Sequence, residues 1–118
     1  NFKSKFNAGE NCFIFEDKTI QPYVKINNNV IMWSGNHIGH HSEIGDNAYF
    51  TSHVVLSGHC KVGNNSWFGV NSTIRDNCKI GEYCLIGMGA LVTTDTDSFG
   101  LYVGSPAKKQ ARPSTEVF

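Results

Sequence analysis

Five histidines lie within one quarter of the 118-residue sequence: His37, His40, His41, His53 and His59. Histidine is the side chain most often used to move protons near neutral pH, because free imidazole has a pKa of ~6.5. A positioned imidazole can act as the general base that removes a proton from an attacking amine or hydroxyl group. The clustering of these side chains therefore indicates a functional site.

The parts of the chain that position these histidines follow a six-residue repeat. Every sixth residue from Ile14 to Val92 is large and apolar, which gives fourteen positions in one phase. The residue two places before each of them is mostly small, and the residue that follows is often Gly. We expect the large residues to fill the interior and the Gly residues to supply the unusual backbone angles of tight corners.

A six-residue period predicts an all-β parallel β-helix, in which each coil has three short strands with a corner after each. One coil then takes eighteen residues, and successive coils stack as parallel strands about 4.8 Å apart. The fourteen hexads make between four and five coils. We expect an N-terminal segment over residues 1–11, the β-helix domain over 12–94, and a C-terminal loop and tail over 95–118. The usual rule for parallel crossovers would favour a right-handed coil.

The eighteen-residue coil also predicts which side chains are neighbours in adjacent coils. His41 is expected to stack on His59, and His40 is expected to lie between Pro22 and Gly58. Neither of these last two residues has a long side chain, so the imidazole of His40 has room on each side. Because His40 follows a corner Gly, we place it on the outer surface, where it can act as a base for an incoming substrate.

Composition excludes several classes of protein. The formal net charge is zero and the sequence has no basic stripe, so a nucleic acid partner is not expected. No apolar run approaches the ~20 residues of a membrane span, and no signal peptide is visible. The four Cys all fall on the small inner positions without a CxxC pair, so we expect buried free thiols, no structural metal site and a cytoplasmic location.

Large apolar residues also occur outside the inner positions of the repeat. They are Trp33, Tyr49, Val55, Trp67, Val70, Met88 and Leu91. A lone prism would leave some of these side chains exposed, and contiguous exposed apolar surface usually marks an interface. We therefore expect the chain to associate with copies of itself.

The sequence contains HHSEIGD at residues 40–46, LSG at 56–58, VG at 62–63, IGMGA at 86–90 and GSPAK at 104–108. Together these motifs resemble the hexapeptide-repeat sugar acetyltransferases of the NeuD/PglD group, over roughly residues 12–110. That group has His-Asp or His-Glu before Ile-Gly-Asp and closes with Gly-x-Pro-Ala-Lys. The resemblance implies a left-handed β-helix and a cyclic homotrimer with active sites between subunits.

The resemblance also implies an activity. Acetyl-CoA would lie along the groove between two subunits, and an amine or hydroxyl group of a sugar or nucleotide sugar would attack its thioester. His40 matches the base of that group and His41 is its candidate helper. The reaction would belong to surface-polysaccharide or glycan synthesis.

Four further residues match cofactor-binding positions of the group. Tyr49 matches a position at the thioester end of the cofactor. Val70 and Met88 match positions whose backbone touches the pantetheine arm, and Lys108 could meet the phosphates of coenzyme A.

The sequence departs from the group in two ways. His41 stands where the group has the acidic residue beside the base, so Glu43 or a carboxylate of the next subunit would have to substitute. The group also carries an N-terminal α/β domain that binds the sugar nucleotide, and residues 1–118 contain no match to it. Both departures leave the acceptor and the choice between N- and O-acetylation open.

Two alternatives fit the same repeat. One is a γ-class carbonic anhydrase-like zinc enzyme, which SGHCKVG at 57–63 and LIGMGA at 85–90 resemble. That class expects a second His five residues after Gly-His, whereas His53 and His59 are six residues apart. The other alternative is a non-catalytic β-helix module that serves assembly.

Overall fold

The computed structural model describes residues 7–15, 17 and 19–117. The first six residues of the predicted N-terminal segment lie outside the described residues. The described residues form short strands, which in chain order are β1 Asn7–Ala8, β2 Phe13–Ile14, β3 Thr19–Ile20, β4 Lys25–Ile26, β5 Ile31–Met32, β6 His37–Ile38, β7 Glu43–Ile44, β8 Tyr49–Phe50, β9 Val55–Leu56, β10 Lys61–Val62, β11 Trp67–Phe68, β12 Thr73–Ile74, β13 Lys79–Ile80, β14 Leu85–Ile86, β15 Leu91–Val92, β16 Leu101–Val103 and β17 Lys108–Lys109.

The strands form three sheets that are the faces of a triangular prism. Sheet A has the order β1-β4-β7-β10-β13, sheet B has β17-β16-β14-β11-β8-β5-β2, and sheet C has β15-β12-β9-β6-β3. Among β1 to β15, parallel partners are eighteen residues apart, as in the pairing of Lys25 with Glu43 and of Glu43 with Lys61. The predicted all-β parallel β-helix is therefore confirmed, and β1 to β15 make five coils.

The large residues of the repeat fill the interior of the prism. Ile14 is partly buried, and the other thirteen, from Ile20 to Val92, are buried. Phe50 and Phe68 stack in adjacent coils, with ring centroids 4.5 Å apart and an interplanar angle of 8°. Because no coil can bury its own apolar face, this stacking of coil on coil is what stabilises the fold.

Polar residues at the small inner positions make hydrogen bonds between coils. The hydroxyl of Ser42 accepts from the Cys60 amide at 3.1 Å and donates to the carbonyl of Ser57 at 3.1 Å. In the same way, Asn36 accepts from the amide of Val54 at 3.0 Å. These bonds satisfy polar atoms that burial would otherwise make costly.

The expectation that the Gly after each large residue supplies the left-handed corner angles is wrong. The left-handed residue of each corner lies three places after the large residue, and its φ is 55–74°. These residues are Asn11, Asp17, Tyr23, Asn29, Gly35, His41, Asn47, His53, His59, Asn65, Asn71, Asn77, Tyr83 and Gly89. The Gly after the large residue is required instead by the close approach of the next coil. A Cβ added at Gly69 would lie 2.5 Å from the backbone nitrogen of Met88.

The C-terminal residues close one end of the prism. β16 extends sheet B beyond β14, and β17 returns antiparallel to it. A 3₁₀ turn at Ser114–Glu116 follows, and the amide of Ser114 donates to the carbonyl of Phe99 at 3.0 Å. This contact directs Val117 back toward sheet B. Over residues 7–15, 17 and 19–117, the structure contains no helix with the length and hydropathy of a membrane span.

The four thiols are free, as expected. Two of them should make the free energy of unfolding fall at alkaline pH. Burial raises the pKa of Cys60 from 9.0 to about 11, and burial also raises the pKa of Cys78. The folded state therefore holds protons that the unfolded state releases above pH 9. We expect the free energy of unfolding to fall by on the order of 2 kcal/mol between pH 9 and 11 on account of Cys60. Urea unfolding of the wild type and of Cys60→Ala over this range should give a steeper fall for the wild type, and equal slopes would contradict the assignment.

Candidate active site

Three histidines contact one another at the edge of the prism between sheets C and A, which we call edge CA. His40 and His41 lie between β6 and β7, and His59 lies one coil later, between β9 and β10. The rings of His41 and His59 are parallel within 5°, with centroids 4.9 Å apart. The ring of His40 is perpendicular to both, with centroids 5.3 and 5.0 Å away. The predicted stacking of His41 on His59 is thus confirmed.

The corner backbone aligns the two stacked rings. His41 and His59 both have left-handed backbone angles, with φ of 60° and 57°. Because they occupy the same corner position in adjacent coils, their side chains leave the prism in the same direction. Tyr23, one coil earlier at the same position, stacks on His41 with centroids 4.9 Å apart and an interplanar angle of 26°. The result is a column of three aromatic rings along edge CA.

His40 is held by different contacts. Its amide donates to the side-chain oxygen of Gln21 at 2.9 Å. Its ring lies over Gly58, where an added Cβ would be 2.9 Å from Nε2 of His40. The space predicted beside this imidazole at Gly58 is therefore present, because the Cβ of any other residue at position 58 would fill it. The side chain is exposed to solvent, so a substrate can reach it.

The contact between His40 and His41 determines which nitrogen could remove a proton. Their Nδ1 atoms lie 3.1 Å apart, so one of them donates a hydrogen bond and the other accepts it. When Nδ1 of His40 carries the hydrogen, His41 accepts it and the lone pair at Nε2 of His40 is left available. Glu43, the expected substitute for the missing acidic residue, lies on sheet A between Lys25 and Lys61. His41 is therefore the side chain that contacts Nδ1 of His40.

A second feature is an apolar groove at the edge between sheets B and C, which we call edge BC. The groove has a volume of about 480 Å³ and is lined by Trp67, Val70, Leu85, Gly87, Met88 and Val117. Val70 and Met88, both predicted cofactor-binding residues, lie between a strand of sheet B and a strand of sheet C. Met88 is 78% exposed and Val70 is 38% exposed, so both are accessible to a ligand.

The two other predicted cofactor-binding residues lie outside the groove lining. Tyr49 is on sheet B, where its ring lies 6.2 Å from that of Trp67, and it accepts a hydrogen bond of 2.6 Å from Nε1 of Trp33. Lys108 is exposed on β17, where it pairs with Val103 of β16.

One chain does not bring all the predicted site residues together. His40 and His41 lie on edge CA, whereas Val70 and Met88 lie on edge BC, at the opposite side of sheet C. His53 lies on edge BC as well, so it does not join His59, its suggested partner in the zinc-enzyme alternative. The predicted base and the predicted cofactor-binding residues therefore lie on different edges of one chain.

Several residues at the two edges carry no sequence signal of their contacts. The eighteen-residue spacing predicts that His59 lies beside His41, but the contact of His59 with His40 depends on ring orientation. Trp67 and Leu85 occupy regular strand positions that carry no signal of a groove. Val117 lies beyond the repeat, and only the folded tail brings it to sheet B.

Residues 59–94 match the bacterial transferase hexapeptide family, described as six repeats. The resemblance to hexapeptide-repeat transferases is thereby confirmed, and the coil is the left-handed parallel β-helix that this repeat forms. No curated protein shows a significant sequence match to the chain.

Solved acetyltransferases share the hexapeptide-repeat fold. Galactoside acetyltransferase in complex with coenzyme A is 25% identical over 96% of this chain and 68% of its own, with a TM-score of 0.88. Serine acetyltransferase (CysE) from Neisseria gonorrhoeae is 28% identical over 80% of this chain and 40% of its own, with a TM-score of 0.72.

PerB from Caulobacter crescentus, in complex with CoA and GDP-perosamine, is 22% identical over 84% of this chain and 58% of its own, with a TM-score of 0.65. At 22% identity, the similarity to PerB shows only that the two proteins share a fold. The chain spans less than two thirds of the length of CysE and of PerB.

Proposed function

We propose that the chain is an acetyltransferase that moves the acetyl group of acetyl-CoA to an amine or hydroxyl group of a sugar or nucleotide sugar. The observation that carries this proposal is the apolar groove at edge BC, which contains Val70 and Met88 on a fold whose solved neighbours bind coenzyme A. We place the reaction in the cytoplasm, in keeping with four free thiols.

The groove fits the pantetheine arm of coenzyme A. Its lining is built from the side chains of Trp67, Val70, Leu85 and Met88, and its volume of about 480 Å³ suits a flexible, mainly apolar arm. Val70 and Met88 are exposed in the groove lining, so a ligand can contact them directly.

We propose a cyclic homotrimer in which edge CA of one copy faces edge BC of the next. This arrangement would bring His40 to the thioester end of the groove, which a single chain does not do. Phe13 and Trp33, whose ring centroids lie 5.5 Å apart, are both more than a third exposed on the lone chain, and contiguous apolar surface of this kind favours association. Light scattering tests the assembly, and a monomeric mass would contradict it.

At the shared site, Nε2 of His40 removes the proton of the acceptor as its nitrogen or oxygen attacks the acetyl carbonyl. His41 holds His40 in the required orientation through the 3.1 Å contact between their Nδ1 atoms. Backbone amides near the corners stabilise the negative charge that develops on the carbonyl oxygen. The thiol of coenzyme A leaves as the acetyl group is transferred.

The acceptor is tested directly by a thiol-release assay. Wild-type chain is mixed with acetyl-CoA and a panel of nucleotide amino sugars, neutral nucleotide sugars, galactosides and serine. Release of thiol with a member of the sugar panel supports the proposal. Release with serine alone would overturn the sugar assignment, and no release together with no binding of acetyl-CoA would overturn the transferase assignment.

The Met88→Glu variant tests the groove. Met88 is largely exposed, so the change should leave the fold intact while placing a negative charge where the apolar arm binds. We expect the dissociation constant for acetyl-CoA to rise at least about tenfold, because desolvating an unpaired charge beside the arm costs more than about 1.4 kcal/mol. Isothermal titration calorimetry measures the effect. Asn47→Asp adds the same charge at an exposed corner between sheets A and B and should bind acetyl-CoA as the wild type does.

A further inference from the structure

The three histidines of edge CA have a property that the proposed transfer reaction does not use. Each of His40, His41 and His59 can offer one ring nitrogen, and these three atoms all lie within 4.8 Å of one another. We propose that His40, His41 and His59 of one chain form a binding site for Zn²⁺. The absence of a CxxC pair predicts no structural metal site, but residue spacing along the chain does not show where the imidazole rings converge.

The separations of the nitrogens are close to what the ion requires. A tetrahedral Zn²⁺ with bonds of 2.0–2.1 Å to imidazole nitrogens holds those nitrogens about 3.4 Å apart. The Nδ1 atoms of His40 and His41 are already 3.1 Å apart. All three side chains are exposed, so tilting the ring of His59 closes the remaining distance without disturbing the core.

The surrounding contacts favour a defined site over a loose group of imidazoles. Stacking of Tyr23 restricts the ring of His41, whereas His59, the last ring of the column, leaves its stacked position to turn a nitrogen toward the ion. Gly58 leaves the space in which the ring of His40 lies. Preorganised ligands lose less conformational freedom when the ion binds, which raises affinity.

The chemistry of the three ligands selects the class of ion. Imidazole nitrogens suit zinc and its late first-row neighbours, whereas calcium and magnesium require oxygen ligands. Three protein nitrogens leave one tetrahedral position for water, so the ion would bind reversibly at the surface. The three donors come from a single chain.

The consequence for activity rests on the proposed function. A Zn²⁺ ion bound to His40 occupies a ring nitrogen of the proposed base and tethers the ring to His41 and His59. Zinc should therefore inhibit acetyl transfer, and a chelator should restore it.

Metal binding is tested on the full chain without any affinity tag, after removal of bound metal, and without acetyl-CoA or acceptor. Isothermal titration with ZnCl₂ should show one ion per chain, and Co²⁺ should give visible absorption bands that Zn²⁺ abolishes. His41→Asn and His59→Asn should each weaken binding at least about tenfold, since even loss of an outer-shell partner costs about 10–100-fold. Asparagine is suitable because it already occupies this left-handed corner position at six places, namely Asn11, Asn29, Asn47, Asn65, Asn71 and Asn77.

His53→Asn is the matched control. His53 has the same left-handed backbone, with φ of 60°, but lies on edge BC, so this variant should bind zinc as the wild type does. Circular dichroism of all three variants verifies the fold. The inference is overturned if zinc binds no more tightly than about 1 mM, or if His41→Asn and His59→Asn both bind it with wild-type affinity. Because no acetyl-CoA is present, a chain that binds zinc but transfers no acetyl group would overturn the proposed function and leave the metal site standing.

Discussion

Replacing His40 with alanine is expected to lower the rate of acetyl transfer by about 10²–10⁴-fold, the contribution of a general base. The exposed ring of His40 lies over Gly58, and its loss leaves the acceptor without a group to take its proton. The turnover number should fall, whereas the dissociation constant for acetyl-CoA should stay unchanged, because the groove lies on another edge. The assay is thiol release in the presence of a chelator, so that bound metal does not contribute.

Asn47→Asp is the control for this experiment, since it changes an exposed corner between sheets A and B, away from both proposed parts of the site, and should retain full turnover. A full rate in His40→Ala would contradict the assignment of the base. Loss of turnover in His59→Asn alone would transfer the role to the neighbouring ring of the cluster, 5.0 Å away between ring centroids.

A mixture of two impaired variants, assayed at an acetyl-CoA concentration well below the dissociation constant of Met88→Glu, tests whether the site is shared. His40→Ala keeps the groove and Met88→Glu keeps the base, so a mixed trimer contains some seams with both parts intact. Random association of equal amounts would restore about one quarter of the seams. Restored activity after the variants are unfolded and refolded together supports a site between copies. No recovery from correctly assembled mixed trimers would contradict it.

Replacing Phe50 with alanine is expected to reduce the free energy of unfolding by about 3–5 kcal/mol. The ring of Phe50 has no exposed surface and stacks on Phe68 in the next coil at 4.5 Å. Its removal leaves a cavity that adjacent coils cannot fill, since their backbones are fixed by the inter-coil hydrogen bonds. Urea unfolding at one fixed protein concentration measures the loss, because association also stabilises the folded state.

Two variants separate this effect from others. Phe50→Leu largely fills the same space and should cost less than about 1.5 kcal/mol. Phe13→Ala removes the same side chain from the outer surface of sheet B, where it is 45% exposed, and should cost less than Phe50→Ala. Equal losses for Phe13→Ala and Phe50→Ala would show that the interior of the prism does not carry the stability.

The six-residue period was sufficient to predict the coil, the buried positions and the column that joins His41 to His59. These features repeat because each hexad makes the same turn, so a residue eighteen places away is always the neighbour in the next coil. Because the same local geometry recurs in every hexad, the prediction holds in all five coils. The resemblance added the left-handed coil, and it selected Val70 and Met88, which the structure places together in one groove.

Other features depend on distances between residues that the six-residue spacing does not set. Whether Gly69 serves backbone angles or close approach is decided by the Met88 backbone of the adjacent coil, 2.5 Å from an added Cβ. The ring of His40 meets His59 because Gly58 leaves it space, and Val117 reaches the groove because Ser114 is bonded to Phe99. The sequence by itself therefore determined the repeating frame, which follows from local turn geometry and apolar spacing. The tertiary structure alone decided how the imidazoles converge and how the tail completes the groove, because both depend on contacts between residues whose positions the repeat does not set.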